Sequence, residues 1–287
     1  MQEEVITSLQ NPKIKELGLL QQKARHRVQS GRFVVEGARE LEACCNAGYK
    51  IETLFFCPQI YSGKANTAQE VAKRFNCSAA KVFTVSEQLY SKIAYRSTTE
   101  GIIAEVAARS LTLADVERQL PETPLIIVAE GIEKPGNIGA LLRTSDACGA
   151  DAVLLCNTTK DIYNPNIIRS SLGGIFTQKV VCCTSEEAIK WLKKKEITIY
   201  TAQLQDSKPY YNTDMAGACA IVMGSEAEGL TQQWREASDC KIMIPMLGVL
   251  DSLNVSISAA ILCYEAVRQR VNNRRNSNSI DSSLRSE

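Results

Sequence analysis

Three short segments carry polar residues at spacings that suit chemistry on a bound ligand. The first is Glu130-Gly131-Ile132-Glu133-Lys134-Pro135-Gly136-Asn137-Ile138-Gly139, continuing through Arg143 to Asp146. It follows an apolar, strand-like run and opens a helix, which puts backbone N–H groups and a positive helix end at the carboxyl edge of a sheet, where a phosphate would sit. The segment holds neither G-x-G-x-x-G nor G-x-x-x-x-G-K-[ST], so the dinucleotide and P-loop signatures are missing, and Gly136 and Gly139 suit a tight turn and a close helix contact better than a ligand cradle. Arg143 lies nearly two helical turns beyond Asn137, so both reach one surface only if Asn137 turns back at the helix start; the plainer role for Arg143 is a surface ion pair. The second segment, Met223-Gly224-Ser225-Glu226-Ala227-Glu228-Gly229-Leu230, sets the carboxylate of Glu226 between two glycines just past a buried strand. The third runs from Ile244-Pro245-Met246 to Ser252-Leu253-Asn254-Val255-Ser256 and leads into a helix expected to end near Arg270.

Several other chemistries are disfavoured. The one histidine, His26, sits in a basic stretch far from all three segments, and the eleven cysteines form no C-x-x-C pair, which fits reduced, buried thiols and no metal site. Lys plus Arg number 33 against 32 acids, so net charge alone neither demands nor forbids a nucleic-acid partner. The start MQEEVITSLQNPK has no apolar core and no run of about 18 uninterrupted apolar residues occurs, so a cytoplasmic protein without membrane contact is expected.

Strand-like and helical runs alternate along the chain, which calls for an α/β fold. Residues 11–30 read as one helix, entered at Asn11-Pro12 and closed at Gly31, with six Lys or Arg and one acid between Lys13 and Arg32. That stretch is either a solvated face or a phosphate-contacting patch. Strands near 33–35, 51–57, 81–85 and 101–106, with helices near 38–47 and 68–75, make residues 1–106 a small α/β domain. Residues 107–123 read as a linker. Runs at 125–129, 152–156, 197–202, 219–223 and 242–245 predict a mostly parallel sheet with helices on both faces over 124–271, and the Ser/Asn-rich residues 272–287 a disordered tail. Within the last helix, Leu253, Ile257, Ala260, Ile261, Tyr264 and Val267 form an apolar stripe. Ser252, Ser256, Ala259, Cys263 and Ala266 form a stripe of small residues, read as a subunit interface or as burial within one subunit.

Taken together, PGNIGALLRTSDACG, VMGSEAEGL and IPMLGVLDSLNVSISAAILCYEAVRQR resemble the SpoU/TrmH family of the SPOUT superfamily, RNA ribose 2′-O-methyltransferases. The segments NPKIKELGLLQQKARHR and FVVEGARELEACCNAG resemble, more loosely, the small L30e-like substrate-binding domain of that family. The resemblance implies a C-terminal trefoil knot, S-adenosylmethionine as cofactor with no metal, and a homodimer that forms the site. Its motifs carry over Asn137, Arg143, Glu226, Ser252 and Asn254 as catalytic positions and Gly224, Ile244, Met246 and Leu253 as cofactor positions. Lys13, Lys23, Arg25 and Arg27, together with Arg169 in a loop at 167–171, are expected to contact RNA. Ala227 replaces the glycine common after the motif Glu, and Asp251 replaces the usual Glu or Ser. A sulfonium methyl is already activated, so the protein has only to align a ribose hydroxyl, exclude water and help remove a proton. Arg143 would either accept that proton or stay charged and stabilise the developing alkoxide. The expected substrate is large-subunit (23S) ribosomal RNA, ahead of transfer RNA. A non-catalytic RNA-binding assembly factor of the same fold and a nucleotide-dependent oxidoreductase are the competing readings.

Overall fold

The computed structural model describes residues 5–63, 65, 67–75, 80–95, 100–158 and 161–284, with side chains as far as residue 273. The chain forms two compact units: Met1–Ser110 with Lys160–Thr177, and Leu111–Thr159 with Gln178–Glu287.

In the first unit, strands β1 (Val5–Ile6), β2 (Arg32–Glu36), β3 (Ile51–Phe56), β4 (Lys81–Val85) and β5 (Ile102–Ala107) pair in the order β1-β4-β3-β5-β2. β1, β3 and β4 are parallel, and β5 runs antiparallel to β2 and β3. The single helix expected over 11–30 is two helices, Pro12–Gln22 and Ala24–Ser30, parted at Lys23, whose backbone is extended (φ −113°, ψ 105°). The break lets Arg27 fold back. Its Nη1 donates to the carbonyls of Leu20 (2.6 Å) and Gln21 (3.1 Å), acceptors that the end of the first helix leaves open.

Arg27 was expected at an RNA-facing surface; it is instead 4% exposed, gripping Asp161 through Nε (2.8 Å) and Nη2 (2.5 Å). Asp161 belongs to the excursion 160–177, expected in the catalytic domain but packed in the first unit. The Tyr163 ring stacks on Phe33 at 4.1 Å and its hydroxyl bonds Tyr49, while Phe176 closes on the same pair of rings. Burial of three aromatic rings with a two-pronged ion pair holds the excursion in this unit. Arg169 lies in a helix, Pro165–Ser171, capped by the Asn164 side chain, rather than in a loop.

The second unit has seven strands: β6 (Leu125–Glu130), β7 (Ala152–Cys156), β8 (Val180–Cys183), β9 (Thr198–Ala202), β10 (Lys208–Pro209), β11 (Cys219–Met223) and β12 (Cys240–Met243). Their order is β10-β12-β9-β11-β6-β7-β8 and every pairing is parallel. β6, β7 and β11 are buried along their whole length, as an α/β sheet covered on both faces requires. Alternate residues Ile126, Val128, Leu154 and Val222 pack one core with Trp191, Leu192 and Trp234. Helix Pro135–Cys148 packs along helix Val255–Leu284, which reaches β6 and β11.

Three details differ from expectation. The stretch read as a linker contains a helix, Leu113–Glu117, opened by a Thr112/Asp115 capping box, with Val116 in the sheet core. The terminal helix runs to Leu284, through the stretch read as a disordered tail, because no Gly or Pro stops it once its first turns are packed. Of the apolar stripe, Ile257 and Tyr264 face outward at 52% and 49% exposure, whereas Ala259, Cys263 and Ala266 of the small-residue stripe are buried inside the unit, the second of the two readings given for it, where small side chains admit the neighbouring helix.

Candidate active site

The chain passes from β6 to β7 and β8 on one side, while β11 joins β6 on the other, so strand order reverses between β6 and β11. Loops at the carboxyl ends of these two strands border the crevice where open α/β sheets take ligands. The loop after β6 runs into helix Pro135–Cys148, with Pro135 in its first turn and no side chain capping it. Asn137 therefore sits in the first turn, facing the end of β11.

The loop after β11 is a tight reversal closed by two backbone bonds between Ser225 and Gly229 (3.1 and 3.0 Å) and by the Ser225 hydroxyl, which accepts from the Glu228 N–H (3.1 Å). Gly229 takes φ +68°, and a Cβ on Gly224 would lie 2.2 Å from the Gly229 carbonyl carbon, so both positions require glycine. The base of the loop is pinned to β6 through buried Glu130. Its Oε1 accepts from the Ser185 and Thr231 hydroxyls, and its Oε2 from the Thr231 N–H.

This reversal presents Glu226 at its tip. Glu226 Oε1 accepts from the Asn137 side-chain amide and Oε2 from Lys134 Nζ at 2.5 Å. Asn137 Oδ1 accepts in turn from Asn254 Nδ2 at 3.2 Å. Asn254 also caps the terminal helix, its Oδ1 accepting from the Ser256 N–H (3.0 Å) and hydroxyl (2.6 Å). Residues 117 positions apart thus form one chain of contacts, Lys134–Glu226–Asn137–Asn254, and the carboxylate end lies at a helix N-terminus, where negative charge is favoured. Lys134 escaped the sequence reading; its position directly before the helix-opening proline is the signal that was available.

Beside this chain lies a cavity of about 620 Å³, within the range of small-molecule sites. Gly224, Ile244, Met246 and Leu253 all line it, as do Glu226, Ser252 and Asn254. Ser252 donates to Asp251 at 3.1 Å. Arg143 stands apart. It is exposed, does not line the cavity, and forms no hydrogen bond or ion pair with the described residues, Asn137 and Glu226 included. Six residues along a helix carry it roughly 9 Å from Asn137.

The model of the SpoU rRNA Methylase family matches residues 124–264, and that of the MRM3-like substrate binding domain matches residues 11–104. A solved RNA 2′-O ribose methyltransferase is 36% identical, with a TM-score of 0.79 over 93% of this chain and 99% of its own. The chain belongs to the SpoU rRNA methylase family. An AdoMet-bound rRNA methyltransferase from Sinorhizobium meliloti superposes on this SpoU member with a TM-score of 0.82 at 26% identity, over 92% and 97% of the two chains. Among curated relatives, the 23S rRNA (guanosine(2553)-2′-O)-methyltransferase RlmP of Bacillus subtilis is 26% identical over 90% of the SpoU chain and 97% of its own length.

Of the residues expected to meet RNA, Lys23, Arg25 and Arg169 are exposed. Lys13 is half-buried, its ammonium 4.1 Å from the centre of the Phe83 ring. Arg32 and His26 both bond Glu16, which removes part of the positive field that the residue count suggested. Among the described residues no group of acids, histidines and cysteines could hold a metal ion, and no helix is long and apolar enough to cross a membrane.

Proposed function

We propose that this SpoU member transfers a methyl group from S-adenosylmethionine to a ribose 2′-hydroxyl of 23S ribosomal RNA, in the cytoplasm and as a homodimer. The observation that carries this reading is that Glu226 and Asn254, from two separate loops, line one cavity at the strand-order reversal and are joined through Asn137 in the first turn of helix Pro135–Cys148. The cavity suits the cofactor in size, and its walls combine the apolar side chains of Ile244, Met246 and Leu253 with backbone around Gly224. Ala227 and Asp251, the two departures from the family pattern, leave that wall intact.

The cofactor supplies a methyl group already activated on sulfur. What remains for the chain is to place the ribose oxygen in line and to offset the charge that develops on it. Asn137 is held between Glu226 and Asn254, so its amide is fixed before substrate arrives. Glu226 has both oxygens engaged, by Asn137 and Lys134, which suits an orienting carboxylate better than a proton acceptor. Arginine side chains stay protonated in proteins. Arg143 is assigned the electrostatic role, holding the neighbouring phosphate and the developing alkoxide while the hydroxyl proton leaves to a phosphate oxygen of the RNA.

Arg143 meets no hydrogen-bond or ion-pair partner among the described residues, which supports its acting on the site of a second copy. The outward stripe of Ile257 and Tyr264, with Leu247 and Val249 on the preceding loop fully exposed, is the apolar surface such a copy would cover. The trefoil knot implied by the family motifs is assigned to the segments 224–230 and 244–254.

Labelled S-adenosylmethionine incubated with unmodified 23S rRNA and, separately, with transfer RNA tests the reading. Label retained in an alkali-resistant dinucleotide of the 23S rRNA is expected. Transfer to transfer RNA alone moves the substrate class, and an alkali-sensitive product removes the 2′-hydroxyl from the chemistry.

A further inference from the structure

The wall of the cofactor cavity holds one cation that neither the family motifs nor the hydrogen-bond chain explains. Arg235, on helix Gln232–Ala237, is half-buried and lines the cavity. Its Nε donates to the Leu230 carbonyl at 3.0 Å, which fixes the plane of the guanidinium at the end of the Glu226 loop. Its two Nη groups meet no acceptor and no carboxylate among the described residues, although Glu226, Glu228 and Asp251 stand on the same wall. The other cation on the wall, Lys134, is engaged by Glu226. An arginine held through its Nε–H alone, with its remaining fork unfilled at a cavity edge, is a preformed receptor for a planar two-oxygen anion.

Resting on the cofactor reading above, we propose that Arg235 binds the α-carboxylate of the methionine portion of S-adenosylmethionine and so fixes which end of the cavity takes the amino acid. A zwitterion is the ligand that this wall suits. The free fork meets the carboxylate, and the neighbouring carboxylates of Glu228 and Asp251 tolerate an ammonium group where they would repel an RNA phosphate. Arg235 is then a cofactor-binding residue outside the three motifs, carried by the helix that follows the second of them.

The test compares two ligands that differ in the carboxylate. S-adenosylhomocysteine carries the amino acid, whereas 5′-methylthioadenosine keeps the nucleoside and sulfur and lacks it. Calorimetric titration of the full chain with each, for wild type and Arg235→Gln, with Arg235→Lys as the charge-keeping variant, isolates the contact. The expected result is a loss of ten- to a hundredfold in S-adenosylhomocysteine affinity for Arg235→Gln, a partial loss for Arg235→Lys, and a change under twofold for 5′-methylthioadenosine in both. Thermal melting of the ligand-free variants should match wild type, which separates lost binding from lost fold. Equal losses for the two ligands, or none, would overturn the assignment; so would unaltered S-adenosylhomocysteine binding with weakened RNA binding, which would give Arg235 to a phosphate. Wild type binding neither ligand would remove the cofactor reading itself.

Discussion

In the unit formed by 1–110 and 160–177, the cations nearest the core are matched by acids of the same unit: Arg27 by Asp161, and Arg32 by Glu16 and Glu105. In the unit formed by 111–159 and 178–287, Glu226 and Asn254 stand on exposed loops, and Arg143 and the Nη fork of Arg235 meet no partner among the described residues. Arg27 and Arg32 are consumed by folding, and charge at the rim of the second unit is left available for a ligand. Substitutions of the two arginines in the first group should therefore lower stability and spare chemistry, while changes in the second group should do the reverse.

The largest expected effect is on stability. Arg27→Ala strands the Asp161 carboxylate in a buried site and should cost about 3–5 kcal/mol in urea unfolding. The double change Arg27→Met with Asp161→Leu should recover most of that loss, since a buried pair replaced by apolar groups is often close to neutral. A cost under about 1 kcal/mol for the single change would break the contrast.

Next in size, Asn137→Ala removes the residue on which the Glu226 and Asn254 contacts meet. It should lower methyl transfer by roughly 10²–10³-fold, the usual effect of losing one preorganised donor, with little change in melting temperature. A variant that is equally active, or that unfolds, would place Asn137 among the structural residues.

Smaller still is the RNA term. Neutralising Lys23 and Arg25 should reduce the slope of log affinity against log salt by about 0.7 per lost phosphate contact on single-stranded RNA, whereas changing Arg27 should leave the slope as it was. The smallest effect concerns Glu105, whose carboxyl is raised above its usual 4.5, chiefly by burial. An acid raised on folding costs nothing below its unfolded value and destabilises increasingly as pH climbs through the folded value. Glu105→Gln should match wild type in denaturant titrations near pH 4 and be the more stable protein near pH 7. The opposite order would mean that Arg32 and Thr53 outweigh the desolvation.

This division also accounts for what could be read from the amino-acid order. The motif loops were legible because Gly224 and Gly229 are required by the local backbone of a tight reversal, which acts within a few residues. The strands of the second sheet were legible because burial on both faces writes continuous apolar runs. Arg27 was not, since what decides its fate is an aspartate 134 positions away. For the same reason the excursion 160–177 read as part of the catalytic domain, although Tyr163 and Phe176 complete a ring cluster begun at Phe33. The two stripes of the last helix were visible, but which of them faces inward depends on how closely helix Pro135–Cys148 approaches, a distance that periodicity does not encode.

The proposed methyl-transfer site takes Asn137, Glu226 and Asn254 from one chain and Arg143 from another. Mixing separately inactive Arg143→Ala and Asn137→Ala proteins, allowing subunits to exchange, and measuring labelled methyl transfer to 23S rRNA tests it most directly. Heterodimers retain one site with both residues, so activity should return to about a quarter of wild type after random exchange. No recovery, with exchange demonstrated, would contradict the shared site and return Arg143 to its own chain.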